Sequence, residues 1–189
     1  MIVIETPRLV LREWKDTDVE PFIEMNRDKR VMEFFPALLS PEESLAMIDR
    51  IRQSFSKNKF GLWAVERKDN HRFIGFTGLS VPRFQADFTP CIEIGWRLCF
   101  EHWEKGFATE AAAACLQYGF EELSLNEIYS FTSLLNIRST NVMKKLEMQY
   151  VKNFEHPLIE EGNVLRTHGL FKIDRKLGSP EDQKNVSAI

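Results

Sequence analysis

The sequence predicts an α/β fold on a sheet of mixed strand direction, with elements in the order β-α-α-β-β-β-α-β-α-β-β. Three observations predict it. Two amphipathic segments near the start carry N-terminal capping signals, two β-rich runs flank a polar turn, and two later helical segments each lie between strand-like runs. A hairpin makes its strands antiparallel, whereas a helix between two strands permits a parallel crossover, so both directions coexist.

Residues 9–14 place Leu9 and Leu11 on one side and Val10, Arg12 and Trp14 on the other, an imperfect alternation that suits an opening strand. Thr17 with Glu20 three residues later reads as a capping box, and Val19, Phe22 and Ile23 form the apolar stripe of a first helix. Ser40 and Glu43 repeat the device with Pro41 at the first helical position, and Leu45, Ile48, Ile51 and Phe55 carry a second helix to about residue 56. Runs 62–66 and 72–81 flank the polar segment 67–71, so they pair as a hairpin. Gly75 and Gly78 inside the second run imply a bulge or a close backbone approach. Residues 82–90 read as a loop and 91–100 as a strand with Ile92, Ile94, Trp96 and Leu98 on one face, broken at Gly95. Ala112, Leu116, Phe120 and Leu123 stripe a helix over 108–123, whose small residues 111–114 permit close packing on a sheet. A strand at 127–133, a capped helix at 136–146 and closing strands at 148–153 and 165–173 complete the chain.

At 189 residues the length argues for a single domain, expected over 1–176, followed by a polar, turn-rich tail over 177–189 that should fray. Fifteen Phe and 4 Trp within 43% hydrophobic composition supply a core, which excludes an intrinsically disordered chain. Twenty-five basic against 28 acidic residues leave a net charge of −3, so no cationic surplus favours nucleic acid or an anionic membrane. No run approaches a membrane span, and the start lacks the basic and apolar regions of a signal peptide; a cytoplasmic location is expected. Cys91, Cys99 and Cys115 form no C-x-x-C pair, and His71, His102, His156 and His168 are scattered, so neither a disulfide frame nor a metal site is expected.

The chemistry concentrates where the strand at 91–100 runs through Trp103-Glu104-Lys105-Gly106 into the Ala-rich helix. Backbone amides of residues 104–109 then point outward at the positive end of the helix dipole, a cradle for phosphate that needs no basic side chain. Gly106 lets the backbone approach a pyrophosphate, and Ala108 leaves that approach open. Neither G-x-x-x-x-G-K-S/T nor G-x-G-x-x-G is present, which removes the usual sequence support for nucleoside triphosphates and dinucleotides.

Read together and in order, Thr6-Pro7-Arg8-Leu9-Val10-Leu11-Arg12, Ile74-Gly75-Phe76-Thr77-Gly78-Leu79, the loop Trp103 through Ala111, and Asn136-Ile137-Arg138-Ser139 through Leu146 resemble the GNAT acyltransferases across most of the chain. The likeness is greatest to the ribosomal-protein-alanine N-acetyltransferase, or Rim-type, branch. It implies a mainly antiparallel central sheet flanked by helices on both faces, acetyl-CoA as co-substrate, no metal, and a primary amine as acceptor, either a small molecule or a peptide N-terminus. A homodimer is the expectation of the branch. Three positions depart from the pattern. Trp103 stands where the wider superfamily has Gln or Arg; Glu147-Met148 replaces Gly-Phe; and no tyrosine is found among Val142, Met143, Lys144 and Lys145, where many relatives hold a general acid.

The resemblance implies direct attack of a deprotonated amine on the thioester through a tetrahedral intermediate, since no Cys-His or Ser-His pair suggests a covalent route. Backbone groups of Trp96, Arg97 and Leu98 would hold the pantetheine and polarise the acetyl oxygen, on a strand splayed from its neighbour at Gly95. Glu104, Lys105, Gly106, Phe107, Ala108 and Thr109 would cradle the pyrophosphate, with Asn136, Ser139 and Lys145 as the second cofactor element. Glu93 is the candidate base, and Ser139 the candidate acid for the leaving thiolate. Structural readings stand beside each: a tight turn at Gly106, a helix cap at Asn136 or Ser139, a solvated carboxylate at Glu93, a solvated helix face at Lys144 and Lys145. His102 and His168 read as structural, and Phe34, Phe35, Trp63, Phe76 and Trp96 as core. The first two helices and the loop 35–39 between them are the expected acceptor side by that resemblance. A noncatalytic acyl-CoA-binding or protein-interaction module on the same fold is the alternative.

Overall fold

The computed structural model describes residues 4–175. The expected tail over 177–189 lies outside those residues. The chain runs through β1 (Ile4–Glu5), β2 (Leu9–Arg12), α1 (Val19–Arg27), α2 (Pro41–Asn58), β3 (Leu62–Arg67), β4 (Phe73–Ser80), β5 (Glu93–Leu98), α3 (Phe107–Glu121), β6 (Glu127–Ser133), α4 (Ile137–Lys145), β7 (Gln149–Glu155) and β8 (Thr167–Asp174). Eight strands form one sheet in the order β1-β2-β3-β4-β5-β6-β8-β7, antiparallel throughout except for the parallel pair β5 and β6. The predicted α/β class and mixed sheet are therefore present. The two-residue β1 is an addition, too short to show a period of two in the sequence.

Helices cover both faces. One core joins Leu9, Leu11, Trp63, Ile74, Leu79, Ile94 and Ile128 to the small face of α3, Ala111, Ala112 and Cys115. The other packs Phe22 and Met25 of α1 and Ile48 and Ile51 of α2 against Trp14, Ala64 and Phe76. Close approach inside the sheet depends on glycine: a Cβ on Gly75, at φ +134°, would lie 2.2 Å from the Arg97 carbonyl, and one on Gly78 2.1 Å from the Gly61 carbonyl. A register shift between Val65 and Glu66 marks the bulge opposite. Of the five aromatics expected in the core, Trp63 and Phe76 are buried, Phe34 and Trp96 partly so, and Phe35 is exposed.

The caps divide. At α2 the Ser40 hydroxyl accepts from the Glu43 amide at 3.1 Å, and the Glu43 carboxylate accepts from the Ser40 amide at 2.7 Å. At α1 the expected Thr17–Glu20 box gives way to a 3-10 turn over Asp16–Asp18, because Asp18 has a stronger partner. Its carboxylate accepts from both terminal nitrogens of Arg12, at 2.7 and 2.8 Å, and from the Lys15 amide at 2.8 Å. Arg12 also donates from Nε to Glu66 at 2.6 Å, and all three residues of this network are buried. Burial alone would raise the Glu66 carboxyl, but hydrogen bonds from Arg12 and Lys15 outweigh it and hold the group at about 2.

Replacing Arg12 with Met strands two carboxylates in a dry environment, and the expected loss is about 3–5 kcal/mol in urea denaturation at neutral pH. Because the Glu66 value is lower folded than unfolded, its contribution is complete above the unfolded carboxylate range and lost as pH falls toward 2. The stability gap between wild type and Glu66→Gln should close over that acid window; a gap independent of pH would refute the assignment.

Candidate active site

The site begins where the sheet comes apart. β5 pairs with β4 at six successive positions, from Glu93↔Ser80 to Leu98↔Gly75, but with β6 only at Glu93↔Tyr129. The Tyr129 amide donates to the Ile92 carbonyl at 2.8 Å, and the Ser130 hydroxyl to the Ile94 carbonyl at 2.9 Å. Beyond that point the two strands part. β6 is held by β8 along its whole length, so it cannot follow β5. The expected break at Gly95 is absent: the β4 ladder continues through it, and the splay lies on the other edge of the strand.

Ladder alternation then sorts the backbone groups. Cys99 donates to Ile74, so the amides of Gly95 and Arg97 likewise face β4, whereas those of Trp96 and Leu98 face the gap. The Leu98 carbonyl is taken by the Trp103 indole N–H at 2.7 Å. Trp103 thus has a structural duty, closing the strand-to-helix turn. What remains toward the gap are the Trp96 backbone groups and the Leu98 amide.

Along the same wall, residues 104–109 lead into α3. Glu104 at φ +59° and Gly106 at φ +79° bend the backbone so that Gly106 becomes the helix N-cap, with no side chain capping the first turn. The amides of Phe107, Ala108 and Thr109 are therefore open to an anion at the positive end of the dipole. The helix starts one residue earlier than the sequence suggested. The loop is braced from the opening turn of the chain. Arg8 donates from Nη1 to the Lys105 carbonyl at 2.9 Å and from Nε to Glu110 at 2.6 Å, and its guanidinium lies 4.5 Å over the Phe107 ring. The Thr6 hydroxyl also donates to Glu110 at 2.6 Å. Lys105 turns back, donating to the Glu101 carbonyl at 2.6 Å.

A cleft of about 730 Å³ runs from this loop through the gap to the connection between α1 and α2, β6 and the start of β8. Every residue expected at the site lines it except Lys105. Asn136 is the N-cap of α4: Oδ1 accepts from the Ser139 amide at 3.1 Å, and Nδ2 donates to the Thr132 hydroxyl at 3.1 Å. Ser139 sits in the first turn rather than at the cap, and its hydroxyl has no hydrogen-bond partner among the described residues. Lys145 is exposed at the last position of α4.

Glu93 stands at the point of divergence. Burial pushes its carboxyl up to about 8, against a weak opposing hydrogen bond from the Ser80 hydroxyl at 3.4 Å. Burial also raises the thiols, Cys91 to about 11, Cys99 to about 12 and Cys115 further still, so none is a ready nucleophile. None of the three lines the cleft. Among the described residues no group of three or more His, Cys, Asp or Glu could hold a metal ion, and no helix is long and apolar enough to cross a membrane.

Several cleft residues escaped the sequence reading. His156 and His168, with ring centroids 4.9 Å apart, join Phe131 in the outer wall; burial, with His168 as its neighbour, lowers His156 to about 4, and burial lowers His168 as well. His102, buried with Nδ1 unpartnered, also borders the cleft. Arg138 stacks 4.8 Å from the Trp103 ring and pairs with Glu33. These residues come from segments distant in sequence, and no local spacing could have grouped them.

Comparison with known proteins agrees with this arrangement. Residues 8–149 match the family model of the acetyltransferase (GNAT) domain. An uncharacterized N-acetyltransferase of Bacillus subtilis, YnaD, is 32% identical over 160 residues, covering 85% of this chain and 89% of that protein. A GNAT-family acetyltransferase structure from Bacillus anthracis superposes with TM-score 0.76 at 25% identity, over 92% of this chain and 98% of its own. RimL, a ribosomal L7/L12 alpha-N-protein acetyltransferase solved in complex with coenzyme A, shares the fold at TM-score 0.74 and 11% identity, over 92% of this chain and 98% of its own. The overall fold is what this chain shares with the two solved structures. The chain belongs to the GNAT acetyltransferase family, whose members use acetyl-CoA.

The raised Glu93 carboxyl carries a stability signature. Its folded value exceeds the unfolded one, so the group costs nothing below the unfolded carboxylate range and destabilises increasingly as pH rises through 8. Glu93→Gln should therefore melt at the wild-type temperature near pH 4 and above it near pH 9. A difference that runs the other way would show that Glu93 is ionised at little cost.

Proposed function

We propose that this protein transfers an acetyl group from acetyl-CoA to a primary amine by direct attack. The observation that carries the reading is the juxtaposition, in one cleft, of the unpaired Trp96 backbone groups and Leu98 amide with the uncapped first turn of α3. The residues suit the co-substrate. Amides of Phe107, Ala108 and Thr109 offer a diphosphate several charge-assisted hydrogen bonds, and Gly106 brings the backbone to it without a Cβ. The edge of β5 offers a pantetheine arm strand-like pairing, and the Trp96 and Leu98 amides are the donors available to a developing oxyanion. Asn136, Ser139 and Lys145 of the α4 wall face the same arm.

Acetyl-CoA supplies an activated acyl group, and this chain supplies the proton traffic. Glu93, whose carboxyl burial raises to about 8, accepts the ammonium proton directly or through water. The Ser139 hydroxyl protonates the departing thiolate while the proton lost from the tetrahedral nitrogen returns to the Ser139 oxygen, directly or through water. Raised thiol values leave no covalent route through cysteine. The likeness to Rim-type proteins favours a peptide N-terminus as acceptor.

Calorimetric titration tests the cradle: acetyl-CoA should bind with micromolar affinity, and Gly106→Glu should abolish binding by placing a side chain and a negative charge against the helix terminus. Wild type that fails to bind at millimolar ligand would refute the enzyme and the acyl-CoA-binding module together, leaving a protein-interaction role on the fold. With an alkylamine acceptor whose own pKa lies near 10, kcat/KM should rise with pH through an enzyme limb near 8. Glu93→Gln should remove that limb and lower the plateau about 100-fold or more, and Ser139→Ala should lower kcat with acetyl-CoA affinity retained. Unchanged rates in both variants would hand the proton transfers to water.

A further inference from the structure

Arg97 stands apart from the other arginines. Its side chain leaves the α1/α2 face of β5 and lines the cleft, stacked with its guanidinium carbon 4.1 Å from the Phe35 ring centroid and 5.4 Å from that of Phe76. Nη1 donates to the Asn26 carboxamide oxygen at 2.6 Å, and that carboxamide is fixed in turn by donating to the Ser44 hydroxyl at 3.1 Å. Nε is buried and unpartnered. Arg8, Arg12, Arg30, Arg52, Arg67, Arg138 and Arg166 each have a carboxylate within ion-pair distance. Those without one, Arg97 apart, are exposed among the described residues. A part-buried, aromatic-stacked guanidinium with no counterion is costly to maintain unless something anionic completes it.

The neighbouring carboxyl does not serve. Glu93 leaves the same face of β5 four residues away, about 13 Å along the strand at ~3.3 Å per residue, and no ion pair links them. Facing Arg97 from the packed elements are Asn26, Phe35 and Phe76, and the far wall carries Phe131 with His156 and His168, all uncharged near neutral pH. On this side of the cleft, Arg97 is therefore a part-buried guanidinium with no carboxylate partner, set by Asn26 and two rings; Arg138, which also lines the cleft, is paired with Glu33, and Lys145 is exposed at the end of α4.

We propose that Arg97 recognises an anionic group, a carboxylate, on the amine acceptor, so that the substrate class is an acidic amine with its anion displaced from the reacting nitrogen. The inference rests on the proposed acetyl transfer, since it identifies the acceptor for that same cleft. A guanidinium fork with free N–H groups suits a carboxylate's two oxygens, and the rigid Asn26 contact holds the fork toward the cavity. The acceptor's amine then lies toward Glu93 and its carboxylate toward α1.

Thermal-shift titration in chloride-free buffer, with succinate, glutarate and adipate against their neutral diamides, separates charge recognition from turnover. Wild type should prefer at least one diacid over its diamide by about tenfold or more. Arg97→Gln should abolish the preference while acetyl-CoA affinity stays unchanged, and Arg97→Lys should restore it only in part. Equal response of wild type to every diacid and its diamide overturns the proposal whether or not the variants fold. A loss of acetyl-CoA affinity in folded Arg97→Gln matching the loss of diacid affinity also overturns it, assigning Arg97 to the co-substrate. Thiol release with glutamate against glutamine, and with the peptide amides Ala-Glu and Ala-Gln, tells a free acidic amine from an acidic peptide N-terminus. A neutral member used as well as its acidic partner in both pairs refutes the proposed class. Diacid binding without any acetyl-CoA binding would sink the acetyl-transfer reading and leave the Arg97 site as an anion site alone.

Discussion

The parting of β5 from β6 is the constraint on which the rest of the molecule depends. A sheet that paired fully at its only parallel junction would satisfy every backbone group and leave no cleft. Here a single bridge, reinforced by the Ser130 hydroxyl on the Ile94 carbonyl, joins the strands at one end, and full pairing of β6 with β8 and of β5 with β4 pulls them apart beyond it. The edge of β5 toward the gap is left with backbone donors and acceptors that no neighbouring strand pairs. The N-terminus of α3 lies at the mouth of the gap, so its uncapped first turn and the open strand edge line one continuous cleft.

Charge is treated in two opposite ways in this fold. Around Arg12 the buried carboxylates of Asp18 and Glu66 share one guanidinium, Lys15 on Glu66 completes the charge balance, and the network ties β2, β3 and the approach to α1 together. Arg8 and Glu110 similarly lock the opening turn to the cradle loop. In the cleft the balance is incomplete: Glu93 is half-buried with only a weak hydroxyl contact, and Arg97 has a carboxamide partner and no carboxylate. Groups left uncompensated in a concave site are the ones whose partners arrive with substrate.

Some of this was legible in the residues. The Ser40–Glu43 cap, the Gly75 and Gly78 close approaches and the outward amides before α3 each depend on neighbours within a few positions, so local spacing revealed them. Two local readings failed for a nonlocal reason. Thr17 lost its capping role because Asp18 is claimed by Arg12, and Gly95 did not break β5 because the splay came from β6 on the other edge. Lys105 lies within the cradle sequence yet points away, since the Glu101 carbonyl captures its ammonium.

By itself the sequence determined the class of fold, the element order, the uncapped Gly-containing turn before α3 and the family likeness, because periodicity, caps and such a turn are properties of short stretches of chain. Only the tertiary structure decided that β8 inserts between β6 and β7, that Arg8 braces the cradle from a hundred residues away, and that His156, His168 and Arg97 border one cavity. It also decided the protonation of Glu93, since desolvation depends on everything packed around a group, and a linear sequence does not say what those neighbours will be.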